Sequence, residues 1–137
     1  MAKSEGKYVL DHFFRALADP TRLRLLNLMA DREICVCYFV EILRTSQPKI
    51  SRHLAYLRKA GIVASRRDGK WMHYRLVLPQ DEVAANILTE TLKHLRGKPE
   101  MQRDIAQLGP ACCGSGRYVA LASAPQPSVL AEIQPLR

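Results

Sequence analysis

Thr45-Ser46-Gln47-Pro48-Lys49-Ile50-Ser51-Arg52-His53-Leu54, running on through Leu57-Arg58-Lys59-Ala60-Gly61 to Arg66-Arg67-Asp68-Gly69-Lys70-Trp71 and Tyr74, is the stretch that decides the fold. Thr45 or Ser46 can cap a helix, and Pro48 then falls in its first turn, where a missing N–H is tolerated. Ile50, Leu54 and Leu57 recur at i, i+4 and i+7 and should face a core. That leaves Gln47, Lys49, Ser51 and Arg52 on the open side near the helix start. Gly61 suits the left-handed position after the helix. Asp68-Gly69 is a two-residue hairpin turn, and Met72, Tyr74 and Leu76 alternate with Trp71, His73 and Arg75 in the strand that follows.

The charge of the chain gathers on the same stretch. From Arg44 to Arg75 nine Lys and Arg face one acidic residue, Asp68, a net +8 that equals the net charge of all 137 residues. The remainder is therefore neutral. Such localisation points to a polyanionic partner, with phosphate the natural counter-charge.

Upstream, Glu33-Ile34-Cys35-Val36-Cys37 leads into Tyr38 to Leu43, which reads as a brief helix carrying both Cys at its N-terminal end. Arg44-Thr45-Ser46 forms a tight turn between it and the next helix. Two helices joined by a short turn, the second polar at its start, make a helix-turn-helix, whose second helix lies in the major groove. Further upstream, Asp19-Pro20 reads as an N-cap followed by Pro at the first helical position, opening a helix with Leu23, Leu26 and Ala30 on one face. Residues 8 to 17 have helical spacing, with Val9, Phe13 and Leu17 at i, i+4 and i+8.

Downstream, Pro79 opens a long helix to about Arg96, with an apolar stripe of Val83, Ile87, Leu88, Leu92 and Leu95. Together with the Phe13 helix this stripe is expected to form a dimer surface. A short helix can run from Pro99 to Leu108. From Gly109 onward Pro and Gly punctuate the chain, which predicts a flexible tail holding Cys112-Cys113. The expected architecture is mainly α with a small β-hairpin wing (α+β), a winged helix-turn-helix that works as a homodimer. Residues 1–108 form the DNA-binding and dimerisation domain, and 109–137 the tail.

No run of 18 apolar residues exists, so no membrane partner is expected. The start, Met1-Ala2-Lys3-Ser4-Glu5-Gly6-Lys7, lacks the apolar core of a signal peptide, and the expected location is cytoplasmic. Four Cys in that compartment are reduced thiols, better read as ligands or sensors than as a disulfide frame. No Ser-His-Asp set, phosphate loop or Cys-x-x-Cys pattern argues for an enzyme.

Leu17-Ala18-Asp19-Pro20-Thr21-Arg22-Leu23, Cys35-Val36-Cys37, Ser46 to Leu54, Ala60-Gly61-Ile62-Val63 and Arg66-Arg67-Asp68-Gly69-Lys70 together resemble the ArsR/SmtB family of winged-helix repressors, and within it the arsenic-responsive branch. The resemblance covers about residues 10 to 108. It implies a homodimer on a palindromic, double-stranded operator, released when As(III) or Sb(III) binds cysteine thiolates, with no organic cofactor. It implies metalloid ligation by Cys35 and Cys37. The branch often places a third Cys where Val40 stands and an Asp where Tyr38 stands. The zinc-sensing branch uses Asp and His pairs on the last long helix, a pattern that Asp81, Glu82, Glu90 and His94 do not reproduce.

Thiolates are soft ligands suited to a trivalent metalloid. In a regular helix residues two apart do not share a face, so joint ligation by Cys35 and Cys37 is expected to distort the helix start and misplace the recognition helix. With the third position held by Val40, Cys112 and Cys113 become candidate ligands from the tail. The DNA-binding candidates are Ser46, Gln47, Lys49, Ser51, Arg52 and His53 on the helix, with Arg66, Arg67 and Lys70 on the hairpin. A second reading is a repressor that senses oxidants or reactive sulfur through cysteine oxidation. A thiol oxidoreductase or metal-transfer protein is disfavoured.

Overall fold

The computed structural model describes residues 9–114, 116–129 and 134–135. Tyr8 lies outside them. In order come α1 (Leu10–Leu17), α2 (Pro20–Leu28), β1 (Arg32–Cys35), α3 (Val36–Leu43), α4 (Gln47–Lys59), β2 (Val63–Asp68), β3 (Trp71–Leu78), α5 (Glu82–Arg96), α6 (Pro99–Ala106), α7 (Leu108–Cys113), a 3-10 turn (Gly116–Leu121) and the short strands β4 (Ser128–Val129) and β5 (Gln134–Pro135).

Local chemistry accounts for most boundaries. Asp19 caps α2 by accepting from the Arg22 N–H at 3.0 Å, with Pro20 next in line. Ser46 is the N-cap of α4 by backbone conformation alone and makes no side-chain cap bond. Gly61, at φ 83°, closes α4 in a Schellman arrangement. The Ile62 N–H reaches the Leu57 carbonyl at 3.2 Å and the Gly61 N–H the Arg58 carbonyl at 3.0 Å. α5 begins later than Pro79 suggests. Asp81 is its N-cap and accepts from the Ala84 N–H at 2.9 Å, a stronger start signal than a Pro alone.

β2 and β3 pair antiparallel across the Asp68–Trp71 turn, and the sheet order is β2-β3-β1-β4, with β5 parallel beside β3. β1 is a strand that the sequence reading folds into a helix. It pairs antiparallel with β3, Ile34 opposite Tyr74 and Cys35 opposite His73. The core joins Phe13, Leu25, Leu28, Ile34, Phe39, Ile50, Leu54, Leu57 and Leu76.

Two expectations need correction. Of the α5 stripe, Leu88, Leu92 and Leu95 are buried within this chain, Ile87 is half-buried and Val83 stays exposed. The chain beyond Gly109 is not a loose tail as far as Leu121. α7 packs on α3, and Ala111, Tyr118 and Leu121 are buried. Gly114 makes the reversal possible. It adopts φ +63°, and a Cβ there would sit 2.7 Å from the Ala122 Cα. The Tyr118 hydroxyl then donates to Gln107 Oε1 at 2.6 Å. Composition hid this because two anchoring side chains are enough to order a Gly- and Pro-rich segment.

Candidate nucleic-acid interface and thiol site

α3, the turn at Arg44 to Ser46 and α4 build the helix-turn-helix. Arg44 takes a left-handed conformation at φ 55°, and the Thr45 N–H reaches back to the Val40 carbonyl at 3.3 Å. Burial of Ile50, Leu54 and Leu57 fixes the rotation of α4 and leaves Ser46, Gln47, Lys49, Ser51 and Arg52 exposed along one side. His53 stands apart from that set. It is half-buried, and its Nδ1 lies 3.2 Å from Arg22 Nη1. Arg22 also donates to the Ala16 and Arg15 carbonyls and covers the Tyr56 ring at 4.2 Å. This places His53 in an arginine-centred clamp between α2 and α4. Periodicity alone could not reveal the clamp, because Arg22 and His53 are 31 residues apart.

On the hairpin, Arg66, Arg67 and Lys70 are all exposed. Arg67 donates to the Gly69 carbonyl at 3.4 Å and Lys70 lies 5.0 Å from the Trp71 ring centre. Arg66 differs, because Glu33 of β1 holds it at 2.7 Å. That guanidinium keeps the Glu33 carboxyl below the usual carboxylate range. Among the described residues, Lys70, Arg67 and the basic side chains at the start of α4 carry no ion pair, whereas Arg66 is already paired.

The Cys pair sits at the junction of β1 and α3. Cys35 is the last residue of β1 and the N-cap of α3, with extended backbone at φ −68° and ψ 143°. Cys37 lies in the first turn. Because the junction bends there, the Cys37 thiol donates to the Cys35 sulfur at 3.1 Å. Thiolate–metal bonds of about 2.3 Å for zinc put two sulfurs on one ion roughly 3–4 Å apart, so the pair fits a shared soft ion as it stands. Helix unwinding is therefore not needed to join these sulfurs, contrary to the helical spacing argument. The residue before the helix is not helical.

The Cys35 sulfur is also held by backbone. The Cys37 thiol, then the N–H groups of Cys37, Met72 and Val36, bring its pKa down to about 7 against the pull of burial. Cys37 is pushed up, first because it supplies the shared proton and then by burial. Met72 belongs to β3, so the sulfur is wired directly into the hairpin. Cys112 is half-buried and Cys113 exposed. Among the described residues no three Cys, His, Asp or Glu side chains converge on one ion position.

Residues 19–65 match the model of the bacterial regulatory protein, arsR family. The arsenical resistance operon repressor of Escherichia coli K12 is 49% identical over 108 residues, covering 77% of this chain and 91% of that protein. The chain belongs to the ArsR family. Like other ArsR-family proteins it is a DNA-binding transcription regulator and not an enzyme. The arsenic resistance transcriptional regulator ArsR1 of Pseudomonas putida KT2440 is 56% identical over 64 residues, 46% of this chain and 50% of that protein, so the match spans half of that relative. Among solved structures, the AntR antimony-specific transcriptional repressor superposes with a TM-score of 0.50 at 28% identity, covering 64% of this chain and 77% of that one. No helix among the described residues is long and apolar enough to cross a membrane.

Proposed function

We propose that this ArsR-family chain is a metalloid-responsive repressor that binds a palindromic operator as a homodimer and leaves it when As(III) or Sb(III) binds Cys35 and Cys37. The observation that carries the reading is the 3.1 Å sulfur pair at the strand–helix junction that opens α3, the helix before the recognition helix. The arsenical and antimony repressors among the similar proteins support the choice of inducer. Arsenous acid, As(OH)3, exchanges hydroxides for thiolates. Two thiols give up two protons, two waters leave, and arsenic stays trivalent.

Ser46, Gln47, Lys49, Ser51 and Arg52 supply the groove contacts, and Arg67 and Lys70 the phosphate contacts. The dimer surface is the exposed apolar set Val9, Leu10, Phe14 and Val83 on α1 and α5, since soluble monomers rarely leave such a set uncovered. The test is binding of labelled DNA from upstream of its own gene. Nanomolar binding that arsenite reverses is expected; binding indifferent to arsenite and antimonite contradicts the reading. The low Cys35 pKa also favours a second reading, oxidation of the pair by peroxide or persulfide. Peroxide or persulfide would then release the DNA and consume two thiols, while arsenite would leave it bound.

A further inference from the structure

We propose that Arg117, far beyond the helix-turn-helix in the chain, joins Arg44 of its turn in a second contact to the DNA backbone, on the phosphates at the edge of the groove that α4 enters. The proposal rests on the seating of α4 in that groove. Three observations lead to it. Arg44, Thr45 and Arg117 line one cleft, together with Val40 and Glu41 of α3. The 3-10 turn that carries Arg117 packs on α3. Both arginines are exposed, and among the described residues neither they nor Glu41 form an ion pair. The cleft thus sets two cations against one carboxylate.

Position selects the partner. Thr45 directly precedes Ser46, the N-cap of α4. The N-terminal residues of a recognition helix face base edges, while the helix before it crosses the phosphate backbone. A cleft lined by the end of α3 and by the turn therefore lies beside a strand of phosphates. The major groove is about 12 Å wide, so side chains as long as arginine that start next to the helix N-terminus reach its edge. Arg44 holds a left-handed conformation at φ 55°, a position that favours Gly or Asn after a helix. A long cation stands where a small residue fits more easily.

Arg117 is held in place for such a contact. It is the one charged residue between Asp104 and Glu132, and the fold brings it to the turn of the helix-turn-helix. Buried Tyr118 anchors it. Arg117 Nη2 donates to the Tyr118 hydroxyl, which donates in turn to Gln107 Oε1 at 2.6 Å. The guanidinium carbon also lies 4.7 Å from the centre of the Tyr118 ring. The other N–H groups of the guanidinium are left for a phosphate, which arginine can grip through two parallel hydrogen bonds. A side chain already set in position loses less freedom on binding. Through this contact the segment from Gln107 to Leu121 extends the DNA footprint beyond α4 and the hairpin.

The experiment uses the full-length protein, labelled DNA from upstream of its own gene, and anisotropy titrations across a salt series. Arg117→Gln should weaken binding about fivefold, alike on operator and unrelated DNA, and shallow the slope of log affinity against log salt by about 0.9 per subunit. Arg44→Gln should do the same. Arg117→Lys should keep the slope, which separates lost charge from altered folding. A scan of single methylphosphonate linkages, each removing one phosphate charge, then locates the contact. One linkage in each half-site should weaken the wild type and leave Arg117→Gln unaffected. An unchanged slope in Arg117→Gln, equal shallowing in Arg117→Lys, or a scan in which no linkage loses its effect in Arg117→Gln overturns the proposal. An unmoved slope in Arg44→Gln overturns the pairing of the two arginines. Lys49→Gln in the same series reads the seating of α4, and an unchanged slope there overturns that seating instead.

Discussion

Glu33 and Arg66 form a 2.7 Å ion pair that ties the strand ending at Cys35 to the tip-bound strand of the hairpin. Arg66 is therefore neutralised before any DNA arrives. Glu33→Gln frees it. DNA affinity should rise severalfold at low salt, and the slope of log affinity against log salt should steepen by about 0.9, the increment for one more phosphate contact. Anisotropy titrations across a salt series measure both. An unchanged slope would mean that Arg66 does not reach phosphate even when released.

Among the described residues Arg67 and Lys70 have no acidic partner of this kind. Replacing either with Ala should weaken binding by a similar factor on operator and unrelated DNA and shallow the salt slope by about 0.9. Gln47→Ala should instead weaken operator binding alone, as expected of a base contact worth about 1–3 kcal/mol. If Arg67→Ala changed sequence preference, the hairpin would be reading bases.

The lowered Cys35 pKa gives a pH signature. The thiolate is the reactive form, so iodoacetamide labelling of Cys35 should rise through a midpoint near 7, below the roughly 8.5 of a free thiol. The sign follows from stabilisation of the anion: the thiolate persists as pH falls until about 7 and is lost below it. Cys37→Ala removes the thiol that donates to the Cys35 sulfur, and the midpoint should climb. Mass spectrometry of labelled peptides over pH 5–10 reads the shift, and a midpoint unmoved by Cys37→Ala would mean that the backbone N–H groups alone hold the anion.

Asp104 is nearly buried and paired with a part-exposed Arg24. Asp104→Ala leaves that cation with a lost partner and should cost about 2 kcal/mol, below the roughly 3–5 kcal/mol of a fully buried pair. Urea unfolding measures the loss.

What was legible in the sequence followed from local periodicity. The spacing of Ile50, Leu54 and Leu57, the Gly61 stop, the Asp19-Pro20 start and the Asp68-Gly69 turn each act within a few residues, and all appear in the fold. What failed depended on distant partners. β1 has only four residues, and its pairing with β3 lies about forty positions away. That strand turns Cys35 into an extended cap, which reverses the argument that the two sulfurs diverge. The apolar stripe of α5 was visible, but its partner surface was not, and most of it closes the core. His53, a DNA-binding candidate by its place on the helix, is half-buried against Arg22, a partner 31 positions away. The order of α7 rests on Tyr118, Leu121 and the crowded Gly114, none of which shows in a Pro- and Gly-rich composition.

The most direct measurement for the central claim is arsenite titration of the operator complex formed by the Cys35→Ser, Cys37→Ser double variant, beside the wild type. Operator affinity of the free protein should match within about threefold, because neither thiol lies on the exposed side of α4. The wild-type complex should dissociate as arsenite is added, and the double variant should stay bound throughout. Dissociation of the double variant at the wild-type arsenite concentration would contradict the account and place the sensor elsewhere in the chain.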